Sequence, residues 1–426
     1  MKETGIEWIG SIPDTWNLDR LQWHLDEVKE SNSPVQTKQV LSLTNKLGVI
    51  PYEEKGEQGN KAKENIDEYK LAYPNTIVAN SMNILIGSVG KCNYFGCVSP
   101  VYYVFKPKDN ENIDFINYIF QTHQFQKELR KYANGILEIR LRVSANDILK
   151  REIAYPPIEI QNNIVCLLNE KMNELDALIE IENKQVEELK DYKQKVITEI
   201  VTKGLDNTVA YKNSAVDWIG DIPSKWGTPK LKMLCDLSSG GTPSRSHPEY
   251  WDGDINWLKT GELQNNEIYD SEEKITELGL NSSSAKEFPI DTILMALYGQ
   301  GKTRGMTGLL KVKSTTNQAC VGITIKNEKK HLIDVKYLWK SLIGAYDGIR
   351  KRAVGSGQPN LSGELVSNFE IPLPPLKEQC EIVEHIDKKC KEIDVLISIK
   401  QKKIDDLNEY KKSLIYEYVT GKKEVC

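Results

Sequence analysis

Ala296, followed after four residues by Gly301-Lys302-Thr303, has the spacing of a phosphate-binding loop. Such a loop cradles phosphate only if a helix begins at once, so that its first amides face the ligand. Here the chain continues Arg304-Gly305-Met306-Thr307-Gly308, which is poor helix material, and no apolar strand ends in a metal-holding Asp. A glycine-rich turn between strands fits better, and Gly87-Ser88-Val89-Gly90-Lys91-Cys92 offers the same turn earlier, so Lys91 and Lys302 are candidate phosphate contacts. Tyr155-Pro156-Pro157-Ile158 lacks both the amide or acid and the aromatic of an adenine methyltransferase loop. The five histidines, His24, His123, His247, His331 and His385, fall into no arrangement of nucleophile, base and orienter. Eight scattered cysteines include no C-x-x-C pair, which argues against zinc and, in a reducing cytoplasm, against disulfides. No catalytic centre, metal site or cofactor is expected in this chain.

The elements that carry these residues come in two copies. Trp8-Ile9-Gly10-Ser11-Ile12-Pro13, then Trp16 and Leu21, returns as Trp218-Ile219-Gly220-Asp221-Ile222-Pro223, then Trp226 and Leu231, offset by 210. Pro156-Pro157-Ile158, Gln161 and Ile164 return as Pro374-Pro375-Leu376, Gln379 and Ile382, now offset by 218. The ends of each copy repeat while the middles barely align. That is a constant frame holding two different inserts.

After each Pro-Pro runs a long stretch without Pro or Gly, closed by Gly204 and Gly421. Its apolar spacing is that of a coiled-coil seam, carried by Leu168, Leu175, Ile179 and Leu189 in the first copy and Ile386, Ile393, Ile397 and Leu407 in the second. The seam is interrupted at the same two places in both copies, by Glu182 and Lys193 and by Lys400 and Lys411. The expected fold is mixed α/β (α+β): two globular heads plus two long helices packed as an antiparallel coiled coil, with a pseudo-twofold internal repeat. An antiparallel pair would bring Glu182 and Lys400 together near its crossing point. The expected division is 1–157, a first head; 158–203, a central helix; 204–375, a linker and second head; and 376–426, a C-terminal helix.

The inserts alternate short β-branched and aromatic runs (76–79, 101–105, 292–298 and 321–325) with helical patterns at Phe115–Arg130 and Val335–Arg352. The net charge of −5 excludes a protein that coats nucleic acid without regard to sequence, since such binding rests on neutralising phosphates. Any nucleic-acid face must be local. The basic clusters Arg130-Lys131 and Arg140/Arg142 in the first insert, and Lys302/Arg304 and Arg350-Lys351-Arg352 in the second, are the candidates, together with Arg245 and Gln358. No apolar run reaches the roughly 20 residues of a membrane helix, and the N-terminus lacks a signal-peptide stretch, so a cytoplasmic location is expected.

The Trp-Ile-Gly-x-Ile-Pro-x-x-Trp openings resemble the start of each half of type I restriction-modification specificity subunits. So do Gly240-Gly241-Thr242-Pro243 with Tyr250-Trp251 and Gly253-Asp254-Ile255-x-Trp257, and Gly355-Ser356-Gly357-Gln358-Pro359-Asn360-Leu361-Ser362 with the Ile371–Gln379 stretch. The first half departs from that pattern: it lacks Gly-Gly-Thr-Pro, and Gly135-Ile136-Leu137-Glu138-Ile139-Arg140 replaces Gly-Ser-Gly-Gln. The resemblance implies that each insert is a target-recognition domain for one half of a split double-stranded DNA site, and that the helices set the spacing. It also implies a subunit without catalysis of its own. Its partners would be two adenine methyltransferase subunits that use S-adenosylmethionine, and restriction subunits that use ATP with Mg. Unlike heads on one frame imply an asymmetric target. The rival from another class is a coiled-coil scaffold with protein-binding heads, which has no reason to repeat its frame while diversifying its inserts.

Overall fold

The computed structural model describes residues 1–44, 48–55, 65–134, 141–299, 301–353 and 360–425. The chain folds into two compact units, the first made of Met1–Asn183 with Gln401–Cys426 and the second of Lys184–Lys400. Each boundary falls inside a long helix, so each unit owns part of both helices.

In the first unit, β1 (Leu25–Val28), β2 (Thr76–Asn80), β3 (Val89–Cys92) and β4 (Tyr102–Pro107) form an antiparallel sheet in the order β1-β4-β2-β3. The two-residue period of a strand sends alternate side chains to opposite faces. Ile77, Ala79 and Phe105 join the core on the helix side, while Val78 and Val104 join a smaller cluster with Leu41, Leu43 and Val49. In the second unit, β5 (Cys235–Ser239), β6 (Asn266–Ile268), β7 (Ile293–Ala296), β8 (Thr307–Leu310) and β9 (Cys320–Ile325) run in the order β5-β9-β7-β8-β6, antiparallel except at the β8–β6 edge. Ile293, Met295 and Ile323 face the helix side, and Leu294, Ala296 and Cys320 the other. All four apolar runs expected to be strands are strands. Sandwiching on both faces explains why they read as apolar runs instead of clean alternation.

The α-helices of six or more described residues are α1 (Ile113–Gln121), α2 (His123–Arg130), α3 (Ile158–Lys203), α4 (Val335–Gly344), α5 (Tyr346–Lys351) and α6 (Leu376–Val419). The single helical patterns expected over 115–130 and 335–352 are each split. Thr122 leaves the helical region and its hydroxyl accepts the Phe125 amide, starting a new helix. Gly344 lies so close to α3 that an added Cβ would sit 2.8 Å from Val201, and the chain turns at Ala345 before α5 begins.

The long helices α3 and α6, of 46 and 44 residues, are about 65–70 Å each at 1.5 Å per residue. Their starts are pinned alike: the Gln161 side-chain amide donates to the Pro156 carbonyl, and that of Gln379 to the Pro374 carbonyl, each at 2.9 Å. Within the first unit the two helix segments run antiparallel, with Asp176 bonded to Lys411 and Glu182 to Lys403. Within the second unit Lys193 bonds Asp394 at 2.7 Å and Lys400 bonds Gln185. Each interruption of the apolar seam therefore has a polar partner inside its own unit. Among the expected packing residues, Leu168, Leu175, Ile386 and Ile393 are buried, while Ile179, Leu189, Ile397 and Leu407 are half-buried.

The repeated openings close the frame. Ser11–Ile12 pairs with Lys2–Glu3, and Asp221–Pro223 pairs with Tyr211–Asn213, in matching registers. In the first unit the Tyr416 hydroxyl of α6 donates to the Trp8 carbonyl and Lys422 to that of Ser11. In the second, Lys203 at the end of α3 donates to the Asp221 carbonyl.

Candidate nucleic-acid interface

Strand direction gathers the loops of the second unit at one end of its sheet. The end of β5, the start of β9, the end of β7 and the start of β8 lie together there. They carry the loops 240–250, 316–319 and 297–306. Arg245, Lys302 and Arg304 lie on those loops, and Leu361 bonds the Leu297 carbonyl at the same end. Gln358 lies outside the described residues. In the first unit the matching end gathers the loops 29–40, 81–88 and 99–101. The exposed Arg142 sits there, its backbone paired with Asn134 and its guanidinium 3.6 Å from the Met82 sulfur. Arg140 lies outside the described residues.

The basic clusters divide by what they touch. Arg350 donates to the Arg304 carbonyl at 2.7 Å and the Gly301 carbonyl at 2.9 Å, while the Tyr346 hydroxyl donates to the Lys302 carbonyl at 2.6 Å. Arg350 is thus a brace under the 297–306 loop. Arg352 pairs with Glu370 at 3.0 Å over the Phe369 ring, which stacks on Trp218 of the opening, so it ties head to frame. Lys351 is exposed. Lys302 is 78% exposed and reaches Glu187 of α3 at 3.3 Å, a solvated pair worth little.

In the first unit Lys131 pairs with Glu7 and Glu128, and its ammonium is held above the usual lysine range by those two hydrogen bonds. Arg130 is exposed at the end of α2. Lys91 lies in strand β3 and not in a turn, is paired with Asp114 at 2.7 Å, and lines a cleft with Tyr118, Asp176 and Lys411 that also takes in Leu85, Ile86 and Gly87 of the 81–88 loop.

The loop chemistry of the two units differs. The loop after β1 is braced by the buried Asn32, whose amide donates to Thr37 and whose carbonyl accepts from Gln36 and Thr37, and it exposes Val35. The loop after β5 starts from Gly240 and Gly241. A Cβ on either would stand 2.1 Å from the Thr316 oxygen or 2.3 Å from Ser284, so only glycine fits. Beyond it, Thr242 donates to Gln318 at 2.5 Å, and Arg245 lies over Trp251 with Glu273 beside it. The Lys259 hydrogen bond, with the Arg245 charge adding, holds the Glu273 carboxyl below its usual range. Gln318 is not picked out by the sequence because a neutral amide leaves no charge pattern, and Thr242 appears there only as part of a motif. That Gly-Gly-Thr-Pro motif was the available clue. Among the described residues no group of His, Cys, Asp and Glu could hold a metal ion, and no helix is long and apolar enough to cross a membrane.

Known proteins share both the frame and the sequence. The type I restriction enzyme MjaVIII specificity subunit of Methanocaldococcus jannaschii is 29% identical over 280 residues, covering 64% of this chain and 62% of that one. The MjaIX specificity subunit of the same organism is 34% identical over 169 residues, 38% of each chain. The aligned region thus spans less than two thirds of either relative. A solved chain from a type I R-M system, studied for complex assembly and conformational transition, superposes with a TM-score of 0.68 over 96% of this chain and 98% of its own, at 13% identity, which shows a shared fold. The profile of the type I restriction modification DNA specificity domain matches residues 24–191 and again 223–409, and with both halves matched, the chain belongs to that family.

Proposed function

We propose that this chain is the non-catalytic DNA-reading subunit of a type I restriction-modification complex, each head reading one half of an asymmetric bipartite target. The observation that carries this is the contrast within the repeat. The helix starts, seam bonds and openings recur contact for contact, whereas the loops at the sheet ends differ in length, bracing and chemistry. Sequence is read by side chains at base edges, so it is the loops that must differ between two half-sites. A frame that holds both heads lets two short readings act as one, through effective concentration.

With a net charge of −5, tight binding needs partners that bring further phosphate contacts. Two adenine methyltransferase subunits using S-adenosylmethionine, and restriction subunits using ATP with Mg, fill that role, with the assembly acting on cytoplasmic DNA. No cofactor is assigned to this chain. Exposed apolar residues on the long helices recur at the 218-residue offset: Leu178 and Leu396, Ile181 and Ile399, Tyr192 and Tyr410. A patch repeated by internal symmetry suits two copies of one partner.

The test is co-expression with the companion methyltransferase in a host lacking adenine methylation, followed by methylome sequencing. A bipartite motif is expected, with one half changed when residues 227–373 are exchanged for the corresponding segment of a relative. Absence of any motif, or a motif indifferent to the exchange, rejects the reading and returns the chain to the scaffold class.

A further inference from the structure

We propose that Arg245 reads a guanine in the second half-site, its guanidinium clamped in place before DNA arrives. The inference rests on the DNA-reading function above and assigns one residue of it to base recognition, where a phosphate contact would give no sequence information.

The guanidinium carbon lies 3.5 Å from the centre of the Trp251 ring and 5.2 Å from that of Trp257, and the two rings stand edge to face at 90°. Glu273 approaches Nη2 at 2.5 Å. Each element of this clamp is held by something other than Arg245. The Trp251 indole donates to the Ser244 carbonyl at 3.2 Å, the Trp257 indole to the Gly241 carbonyl at 3.0 Å, and Lys259 binds Glu273. The loop enters through Gly240 and Gly241, wedged against backbone at residues 316 and 284. The arginine is therefore not needed to hold its surroundings, whereas its surroundings hold it.

The arginine side chain is nevertheless 56% exposed, at the end of the sheet where the loops converge. Among the described residues Glu273 is its one ion-pair partner, through Nη2, and the planar guanidinium presents Nη1 and Nη2 as a fork of donors. That fork matches the O6 and N7 acceptors of guanine in the major groove. A phosphate contact needs charge but no fixed plane. Stacking on one indole, with a carboxylate gripping one edge, fixes the plane and removes rotamer freedom in advance, the condition under which a bidentate contact discriminates between bases. The corresponding loop of the first unit, 29–40, exposes Lys29 and Lys38 but carries no arginine, and a lysine ammonium has no planar fork, so this reading belongs to one half-site only.

The experiment uses the full chain assembled with its methyltransferase and needs no mutant for its first arm. Duplexes carrying the wild-type target receive 7-deazaguanine at each guanine of the second half-site in turn, which deletes N7 alone. One position is expected to lose about tenfold in affinity, with the others unchanged. In the second arm, methylomes are compared for wild type, Arg245→Lys and Arg245→Gln. Both variants should relax one G·C position of the second half-site, where discrimination falls about 5- to 150-fold, and leave the first half-site intact. A second half-site without a G·C pair, 7-deazaguanine without effect at every position, or variants that weaken methylation uniformly with the motif unchanged would each overturn the proposal, the last by showing a phosphate contact. Failure of the wild-type assembly to give any bipartite motif would instead reject the function on which the inference rests.

Discussion

The glycines that end the two long helices occupy equivalent places but unequal surroundings, and this fixes an unequal response to one methyl group. Gly204 and Gly421 both sit in the left-handed region, at φ +75° and +69°. An alanine in that conformation costs about 1–2 kcal/mol at either site. At Gly204 the added Cβ would meet the Trp226 ring at 3.1 Å and a Glu378 oxygen at 3.2 Å, contacts that shifts of a few tenths of an ångström relieve. At Gly421 it would stand 2.4 Å from Cδ and 2.9 Å from Cγ of Pro13, a ring fused to the backbone of the opening. Overpacking of that kind adds about 1–3 kcal/mol. Gly421→Ala is therefore expected to cost about 2–5 kcal/mol and Gly204→Ala about 1–2 kcal/mol. With two compact units a single melting temperature is poorly defined, so amide hydrogen exchange is the suitable assay. Ile9, Gly10 and Trp16 should exchange at least about 30-fold faster in Gly421→Ala, and Ile219, Gly220 and Trp226 about 5- to 30-fold faster in Gly204→Ala, at about 1.4 kcal/mol per tenfold. An effect of Gly204→Ala equal to or larger than that of Gly421→Ala would refute the packing argument, since the backbone contribution is common to both.

Three further outcomes are expected. Alkylation of the native protein at pH 8, read by mass spectrometry, should label the exposed Cys166 and Cys380 and spare Cys235 and Cys320, whose thiols burial pushes up to about 12. The Glu273 carboxyl is held below its ordinary value of 4.5 chiefly by Lys259, with Arg245 adding, so the stabilisation is complete above that pH and lost as pH falls through the depressed value; tryptophan emission around Trp251 and Trp257 should change in that acidic window, and Glu273→Gln should remove the change. Separated halves should differ in self-association by ultracentrifugation: residues 1–203 set Glu182 against Gln185 at the seam and pair readily, while residues 204–426 set Lys400 against Lys403 and pair weakly at low salt, recovering as salt rises.

Much of the frame is legible in the sequence because its determinants are local. Pro157 and Gly204 bracket α3, and Pro375 and Gly421 bracket α6, since a proline ring and a left-handed residue are incompatible with a helix interior whatever surrounds them. The seam is legible where a helix meets only its partner. Toward the C-terminal end of α3 it drifts: the 3.5-residue pattern points to Val196 and Ile200, but Ile197 and Val201 are the buried pair, because there the helix also packs against its own head at Gly344. The loop ends are the least legible. Arg350 reads as one of three adjacent surface cations, and only folding brings it under carbonyls 46 and 49 positions earlier in the chain. Arg245 reads as an isolated cation, and only folding lays it on Trp251.

The polar interruptions of the seam show what a repeat can and cannot specify. Shifting by 218 carries Asp176 to Asp394 and Lys193 to Lys411, so the Asp176–Lys411 bond of the first unit and the Asp394–Lys193 bond of the second are images of each other, identical in chemistry. The same shift carries Glu182 to Lys400 and Gln185 to Lys403, so the Glu182–Lys403 and Lys400–Gln185 bonds are also images, but their charges differ. Position within the frame is duplicated at both sites, whereas charge is duplicated at only one. A polar residue on an apolar seam disfavours registers in which it meets an apolar face, and it does so whatever its sign. The charge then adds a second discrimination, since Glu182 with Lys403 and Lys400 with Gln185 are both compatible pairs, whereas joining two second halves would oppose Lys400 to Lys403. The duplicated interruptions therefore fix where the helices meet, and the unequal charges act on which halves join: two second halves are opposed by Lys400 against Lys403, two first halves are merely tolerated, and one copy of each half gains the Glu182–Lys403 ion pair, as two different heads reading an asymmetric target require.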